Sequence, residues 1–158
     1  MRRAFKDELY KQMTLDTDIV VISLDLGYGM FNEIRDNYSS RFFNVGASEQ
    51  AGMDMAVGMA LAGKKPFVYS ITNFILYRPF ETLRNYINYE EIPVRLVASG
   101  RDKDYDHDGI SHWSEDAKQL LCTLPKILTH FPRDKKDIKS LVEIMVTQNA
   151  PHFISLKR

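Results

Sequence analysis

The chain has a single cysteine, Cys122, among 158 residues. No internal disulfide framework can form, which fits a reducing compartment. An excess of either charge is also missing: Lys plus Arg and Asp plus Glu both number 21. Net charge therefore gives no argument for binding nucleic acid or an acidic membrane surface. No apolar stretch approaches the roughly 20 residues that a membrane-spanning helix needs. The opening "MRRAFKDELYKQM" carries acids and an amphipathic spacing, unlike a signal or transit peptide. These absences make a soluble, cytoplasmic protein the expectation. Internal repeats, low-complexity tracts and linkers are lacking too. The length and an ordinary balance of 44% hydrophobic and 27% charged residues suit one domain over residues 1–158 with a single core.

What is present is alternation. Residues 4–13 put Phe5, Leu9, Tyr10 and Met13 on one helical face. "DIVVISLD" is a short β-branched run of the kind that forms a buried strand. A turn-rich stretch with Gly27 and Gly29 follows, with a short helix around 32–38. "RFFNV" reads as a second strand and "SEQAGMDMAVGMALAG" as a helix ended by Gly63. "PFVYSI" is a third strand, followed by a helix from about Arg78 to Glu90. "PVRLVAS" is a fourth strand, then come an acidic loop and the helix "SEDAKQLLCTL". "KILTHF" is a fifth strand, "DKKDIKSLVEIMVTQ" a helix capped by Asp134, and "HFISLK" the last strand. Six such alternations predict an α/β fold: one doubly wound domain, with a parallel sheet of about six strands and helices on both faces. Ligands of such sheets sit beyond the carboxyl ends of the strands, here the loops after Asp25, Val45, Ile71 and Ser99.

The acidic loop "DYDHDGISHWSE", residues 104–115, has the spacing of a calcium-binding loop: carboxylates at positions one, three and five, glycine at six, glutamate at twelve. Its context does not match. A calcium hand needs a helix on each side, whereas "IPVRLVASG" reads as a strand, and Ser111 stands where an aliphatic residue is usual. There is no second hand. A solvated acidic loop and a functional loop beyond a strand remain as the competing readings.

"FFNVGASEQAGMDMAVGMALAGKKPFVYSITNFILYRPFETLRNYI" closely resembles the pyrimidine-binding domain of transketolases. Members of that family carry an Asn-Val-Gly-Ile-Ala-Glu-Gln type turn, then Gly-Leu-Ala-Leu-Ala-Gly, a strand, an aromatic-rich segment and an Arg-Asn-containing helix. "DHDGISH" resembles their Glu-Asp-Gly-Pro-Thr-His, and "PHFISLKR" their closing strand with its Leu-x-Arg. The likeness runs from Arg2 to Arg158, with several motifs in order at matching spacing.

The resemblance implies thiamine diphosphate as cofactor. It implies that Glu49 is the glutamate bonded to ring nitrogen N1′ of the aminopyrimidine. Such a bond favours the imino tautomer at the exocyclic nitrogen, which then removes the thiazolium proton. That role needs an apolar setting, and Val45, Met53, Phe74 and Tyr77 are the candidates to supply it. From spacing alone Glu49 also reads as a first-turn acid favoured by the helix dipole. Phe74 and Tyr77 match aromatics that line the pyrimidine pocket. Ile71 stands where the family has another aromatic. Asp108 and His112 match residues that contact the sugar, with His112 in a position to move protons. Arg2 and Arg158 match two arginines that hold a substrate phosphate. Gly100 stands where the family has a histidine of that phosphate site, and Gly29 about where it has a serine.

A thiamine enzyme also needs a domain that anchors the diphosphate. Its Gly-Asp-Gly motif with a trailing Asn is not found in this chain. The resemblance therefore implies half an active site. The expected partner is a separate diphosphate-binding subunit that holds magnesium or calcium, in a heterotetramer of two chains of each kind. The small residues Ala51, Gly52, Ala56, Gly58 and Ala60 suit close packing at that interface, or equally packing of the helix on its own sheet. The expected activity is a transferase, moving a two-carbon ketol unit from a ketose to an aldehyde. Alternatives are a deoxyxylulose-phosphate synthase type, the beta chain of a 2-oxo acid dehydrogenase, a non-catalytic scaffold of the same fold, or a fragment of a longer chain.

Overall fold

The computed structural model describes residues 1–158. Six strands, β1 (Ile19–Ser23), β2 (Phe42–Asn44), β3 (Lys65–Ile71), β4 (Arg95–Ser99), β5 (Leu128–His130) and β6 (His152–Leu156), form one sheet in the order β2-β1-β3-β4-β6-β5. Every pairing is parallel. The β1, β4 and β6 runs are buried at every position, because a parallel sheet covered on both faces leaves no solvated side for polar alternation. The helices are α1 (Arg2–Leu15), α2 (Asn32–Asn37), α3 (Glu49–Leu61), α4 (Thr72–Tyr77), α5 (Phe80–Thr82), α6 (Ala117–Cys122) and α7 (Asp137–Thr147), with a π-helical stretch over Leu83–Tyr89.

Alternate strand residues feed two cores. Ile22, Val68, Leu96 and Phe153 pack with Met53, Ile75, Leu83 and Leu121 on one face. Val21, Phe67, Val97 and Ile154 pack with Phe5, Leu9, Ile34 and Val142 on the other. This is the doubly wound α/β fold that the alternation predicts, and Gly63 ends α3 at φ 83° as expected.

Local boundaries differ in three places. The helix after β3 starts at Thr72 rather than near Arg78. The Thr72 hydroxyl donates to the Gly100 carbonyl across the sheet, a long-range anchor that outweighs the poor helix propensity of "TNFILY". Pro79 then interrupts the helix, and the turn widens into the π-helical stretch. Asp134 does not cap α7. Asp137 Oδ2 accepts from the Arg133 and Asp134 amides, both at 3.0 Å, and Asp134 turns to the Lys136 amide at 2.9 Å. The helix expected from Ser114 begins at Ala117, because Ser114 is bridged to Asp102.

The small residues of α3 divide between the two roles open to them. A methyl group on Gly52 would run into Leu24 and Val45, so that glycine lets the helix sit close on the sheet. Ala56 is buried in the same contact. Gly58 has nothing within 4 Å of the place a Cβ would take, and Gly58 and Ala51 are exposed.

The amino-terminal ends of β4 and β6 carry buried polar groups. Arg95, 1% exposed, donates from Nε to the Met145 carbonyl at 2.8 Å and from Nη2 to the Gln148 carbonyl at 3.1 Å. It thus supplies a cation at the end of α7, and burial pulls its pKa down to about 10. His152 is fully buried, with Nδ1 3.0 Å from His130 Nε2. Burial, with His130 and Arg95 adding to it, lowers the His152 pKa to about 4. A histidine held neutral in the fold stabilises it above the unfolded pKa of about 6.5. That contribution is lost as pH falls from there toward 4. The unfolding free energy from urea melts should drop across this window, by up to about 3 kcal/mol from His152 at about 1.4 kcal/mol per unit. His152→Phe should flatten that part of the profile. A variant profile parallel to the wild type would remove His152 as the cause.

Candidate active site

The chain leaves β1 toward β2 on one side and returns to β3 on the other, so the strand order reverses between β1 and β3. Crevices at such a reversal, beyond the strand ends, are where open parallel sheets hold ligands. Here the turn after β1 supplies Leu24, Asp25 and Leu26, the start of α3 supplies Ala47 and Glu49, and the β3–α4 segment supplies Ile71, Phe74 and Arg78. Together they enclose a cavity of about 70 Å³. Asp25 takes φ 52°, a left-handed backbone uncommon outside glycine, and Ser23 Oγ pins the turn by donating to the Leu26 carbonyl.

Glu49 is 5% exposed. It lies in the first turn of α3, where the helix dipole favours a negative charge. An acid serving the dipole alone would sit in water; this one faces a mainly apolar cavity that Asp25 and Arg78 also line. Its partner is Arg78, whose Nη1 donates to Glu49 Oε1. The Arg78 guanidinium also lies over the Phe74 ring, 3.6 Å from its centroid, a cation–π contact. The His112 ring meets Phe74 edge-on at 5.0 Å.

The fold thus brings Glu49, Ile71 and Phe74 around one cavity, with His112 beside it. Tyr77 is not on that cavity. It faces Asp116, and burial together with that carboxylate pushes its pKa up to about 12. The reason is helical phase: with the helix starting at Thr72, residues 71, 74 and 78 share one stripe and 77 falls off it. Val45 and Met53 also differ from expectation. They belong to the helix–sheet core, and Leu24, Leu26 and Ala47 form the apolar walls instead. Arg78 is the site residue that sequence reasoning missed, and its spacing from Ile71 and Phe74 is the signal that would have found it.

The acidic loop is closed by the Asp102–Ser114 bridge and folds into two short 3₁₀ turns, Asp106–Asp108 and Ile110–His112. Asn73 fastens it over α4 by donating to the Ser111 carbonyl at 3.1 Å and to that of Trp113. Asp104 Oδ2 accepts from the Arg101 amide at 3.0 Å and the Arg158 amide at 2.9 Å. Asp108 pairs with His107 at 3.2 Å. No group of three His, Cys, Asp or Glu side chains is placed to hold a metal ion.

Arg2 and Arg158 converge on Tyr105. Arg2 Nη1 donates to its hydroxyl at 3.4 Å, and Arg158 stands 5.1 Å from its ring centroid. The hydroxyl also lies 2.9 Å from Ser99 Oγ. Tyr105 accounts for Gly100 as well: a side chain there would land in the Tyr105 ring, and the backbone φ is +84°. A groove of about 860 Å³, with Arg2, Arg3, Lys6 and Tyr69 among its lining residues, shares Asp25 and Leu26 with the small cavity. The Tyr69 hydroxyl is buried without a hydrogen-bond partner, and burial pushes its pKa up.

The sequence profile of the transketolase pyrimidine-binding domain matches residues 1–158. The chain belongs to this family. A protein of Methanocaldococcus jannaschii, provisionally named a transketolase C-terminal section, is 26% identical over 159 residues, covering 100% of this chain and 50% of that one. One of the subunits of the apulose-4-phosphate transketolase of Phocaeicola vulgatus is 25% identical over 158 residues, covering 99% and 51%. Among solved structures, a split-gene transketolase described as an inactive β4 tetramer superposes with a TM-score of 0.87 at 28% identity, over 99% of this chain and 51% of that one. The chain therefore spans about half the length of these relatives. No helix is long and apolar enough to cross a membrane.

Within this transketolase-type domain, Gly100→Ala tests whether Tyr105 organises the rim. The substitution combines a disfavoured backbone angle with a collision, so a loss of about 1–3 kcal/mol is expected in chemical denaturation. Tyr105→Ala in the same background should recover part of it by removing the collision. An unaltered Gly100→Ala midpoint would refute the packing account.

Proposed function

We propose that the chain is the pyrimidine-binding half of a transketolase-type thiamine diphosphate enzyme, completed by a diphosphate-binding partner. The observation that carries this is Glu49: a buried carboxyl at a helix start, facing a mainly apolar cavity with an aromatic wall. The residues present fit a planar heterocycle. Phe74 already stacks a flat cation, and Glu49 already accepts a hydrogen bond from it. In such enzymes the bound cofactor supplies a carbon nucleophile that carries a two-carbon unit between sugars.

On this reading Glu49 holds a proton at the ring nitrogen it faces. Leu24, Leu26 and Ile71 exclude water from that bond, which strengthens it, and Phe74 fixes the ring plane. His112, beside Phe74, would serve a substrate oxygen as hydrogen-bond donor or acceptor. Asp108 offers an acceptor to sugar hydroxyls from the same loop. Arg2 and Arg158, gathered at Tyr105, suit an anionic substrate end. The metal ion, magnesium or calcium, belongs to the partner.

The exposed stripe of α3 at Ala51 and Gly58 fits association with further chains in a two-plus-two heterotetramer. One structural neighbour is named a split-gene transketolase, and one relative is named as a single subunit of its enzyme. Both names support a partnered assembly. A deoxyxylulose-phosphate synthase type is the second reading. It is favoured by relatives of that name at 28% identity over 158 residues in Clostridium kluyveri and 32% over 139 residues in Corynebacterium glutamicum.

Turnover is expected only when the chain is mixed with a diphosphate-binding chain, thiamine diphosphate and a divalent ion. Pyruvate and ketose donors in one assay panel separate the two readings. Glu49→Gln should lower the mixture's turnover at least about 100-fold while the complex still assembles. Turnover from the isolated chain, or an unchanged Glu49→Gln complex, would sink the proposal.

A further inference from the structure

The Arg78 side chain has the features that the proposed pyrimidine site selects for. Its guanidinium is flat, delocalised and a donor in its own plane. It covers the face of Phe74 at 3.6 Å and donates to the inner carboxylate of Glu49. Those two contacts, an aromatic face and the Glu49 oxygen, are the ones a planar heterocycle would make there. The cavity left between Arg78 and the Leu24, Leu26, Ala47 and Ile71 walls is only about 70 Å³. Ligand sites are seldom below about 300 Å³. Arg78 takes up part of the space between these walls.

Arg78 is also built to leave. Its side chain is 46% exposed while that of Glu49 is 5% exposed, so the guanidinium reaches inward from the rim. It is the last residue before Pro79, where the helix is interrupted. Glu49 is its one ion-pair or hydrogen-bond partner. A carboxylate this buried is costly without a partner, so the pair stabilises the empty site.

We propose that Arg78 is an internal surrogate for the cofactor's pyrimidine ring. It occupies the Glu49–Phe74 subsite in the free chain and must swing out before the ring can enter. The inference rests on the reading of Glu49 and Phe74 as a pyrimidine site and adds a competition within the chain itself. The cofactor's affinity is reduced by the free energy of the Arg78 contacts.

The test uses the full chain and thiamine, which carries the pyrimidine without needing the partner's diphosphate site. Binding is read by calorimetry for wild type, Arg78→Ala, Glu49→Gln and the double variant. Arg78→Ala should bind thiamine at least about fivefold more tightly, and both chains with Glu49→Gln should bind it more weakly than their Glu49 counterparts. In the wild type, the Arg78 Nη1–H proton that Glu49 Oε1 accepts should be protected from exchange in the free chain and lose that protection as thiamine is added, a readout that needs no variant. If wild type and Arg78→Ala bind equally, or Arg78 stays protected in the thiamine complex, the surrogate role is overturned while the pyrimidine site stands. If Glu49→Gln leaves thiamine binding unchanged in both backgrounds, the pyrimidine site is overturned and the surrogate role with it.

Discussion

The close seat of α3 on the sheet at Gly52 is the contact on which the site depends. Only a glycine lets the helix approach Leu24 and Val45 as it does. That approach sets the first turn of α3 against the ends of β1 and β3, which takes the Glu49 carboxyl out of water and turns it toward Leu24, Leu26 and Ile71. The helix dipole offsets part of the cost of burying the charge, and the Arg78 ion pair adds to that. A helix held even one side chain further out would leave Glu49 an ordinary solvated acid.

The loops beyond the other strands are organised around the same end of the sheet by contacts distant in sequence. Thr72 reaches the Gly100 carbonyl, Asn73 the carbonyls of Ser111 and Trp113, and Asp104 the Arg158 amide. These tie α4, the acidic loop and the last residues of the chain into one rim. Tyr105, 7% exposed, is its centre, and Arg2 and Arg158 meet there although they stand at opposite ends of the sequence. What resembles a calcium loop in spacing is spent on backbone amides and a neighbouring histidine. Asp104 closes the loop on the Arg101 and Arg158 amides, and Glu115 pairs with Lys103.

The opposite end of the sheet does different work. Arg95 and His152 open β4 and β6 and are buried there, with His130 of β5 beside His152. Arg95 ties the end of α7 to the sheet through the Met145 and Gln148 carbonyls, away from the strand ends that carry the candidate site. The molecule therefore separates groups that secure the fold from groups available for chemistry, as open α/β sheets generally do.

By itself the sequence determined the class of fold. β-branched runs such as "IVVIS" must be buried on both faces, and their alternation with amphipathic helices admits little besides a parallel, doubly wound sheet. Resemblance to the transketolase pyrimidine-binding domain marked out Glu49, Phe74 and His112. Tertiary structure decided what those marks could not. "TNFILY" is helical because Thr72 is anchored to a residue 28 positions away, and local propensity cannot see that bond. The phase of that helix, set from Thr72, put Arg78 rather than Tyr77 beside Glu49. Gly100 is explained only by the Tyr105 ring that packs over it. Periodicity and propensity are properties of neighbours along the chain, whereas the phase of a short helix and the occupant of a cavity are set by contacts between distant segments.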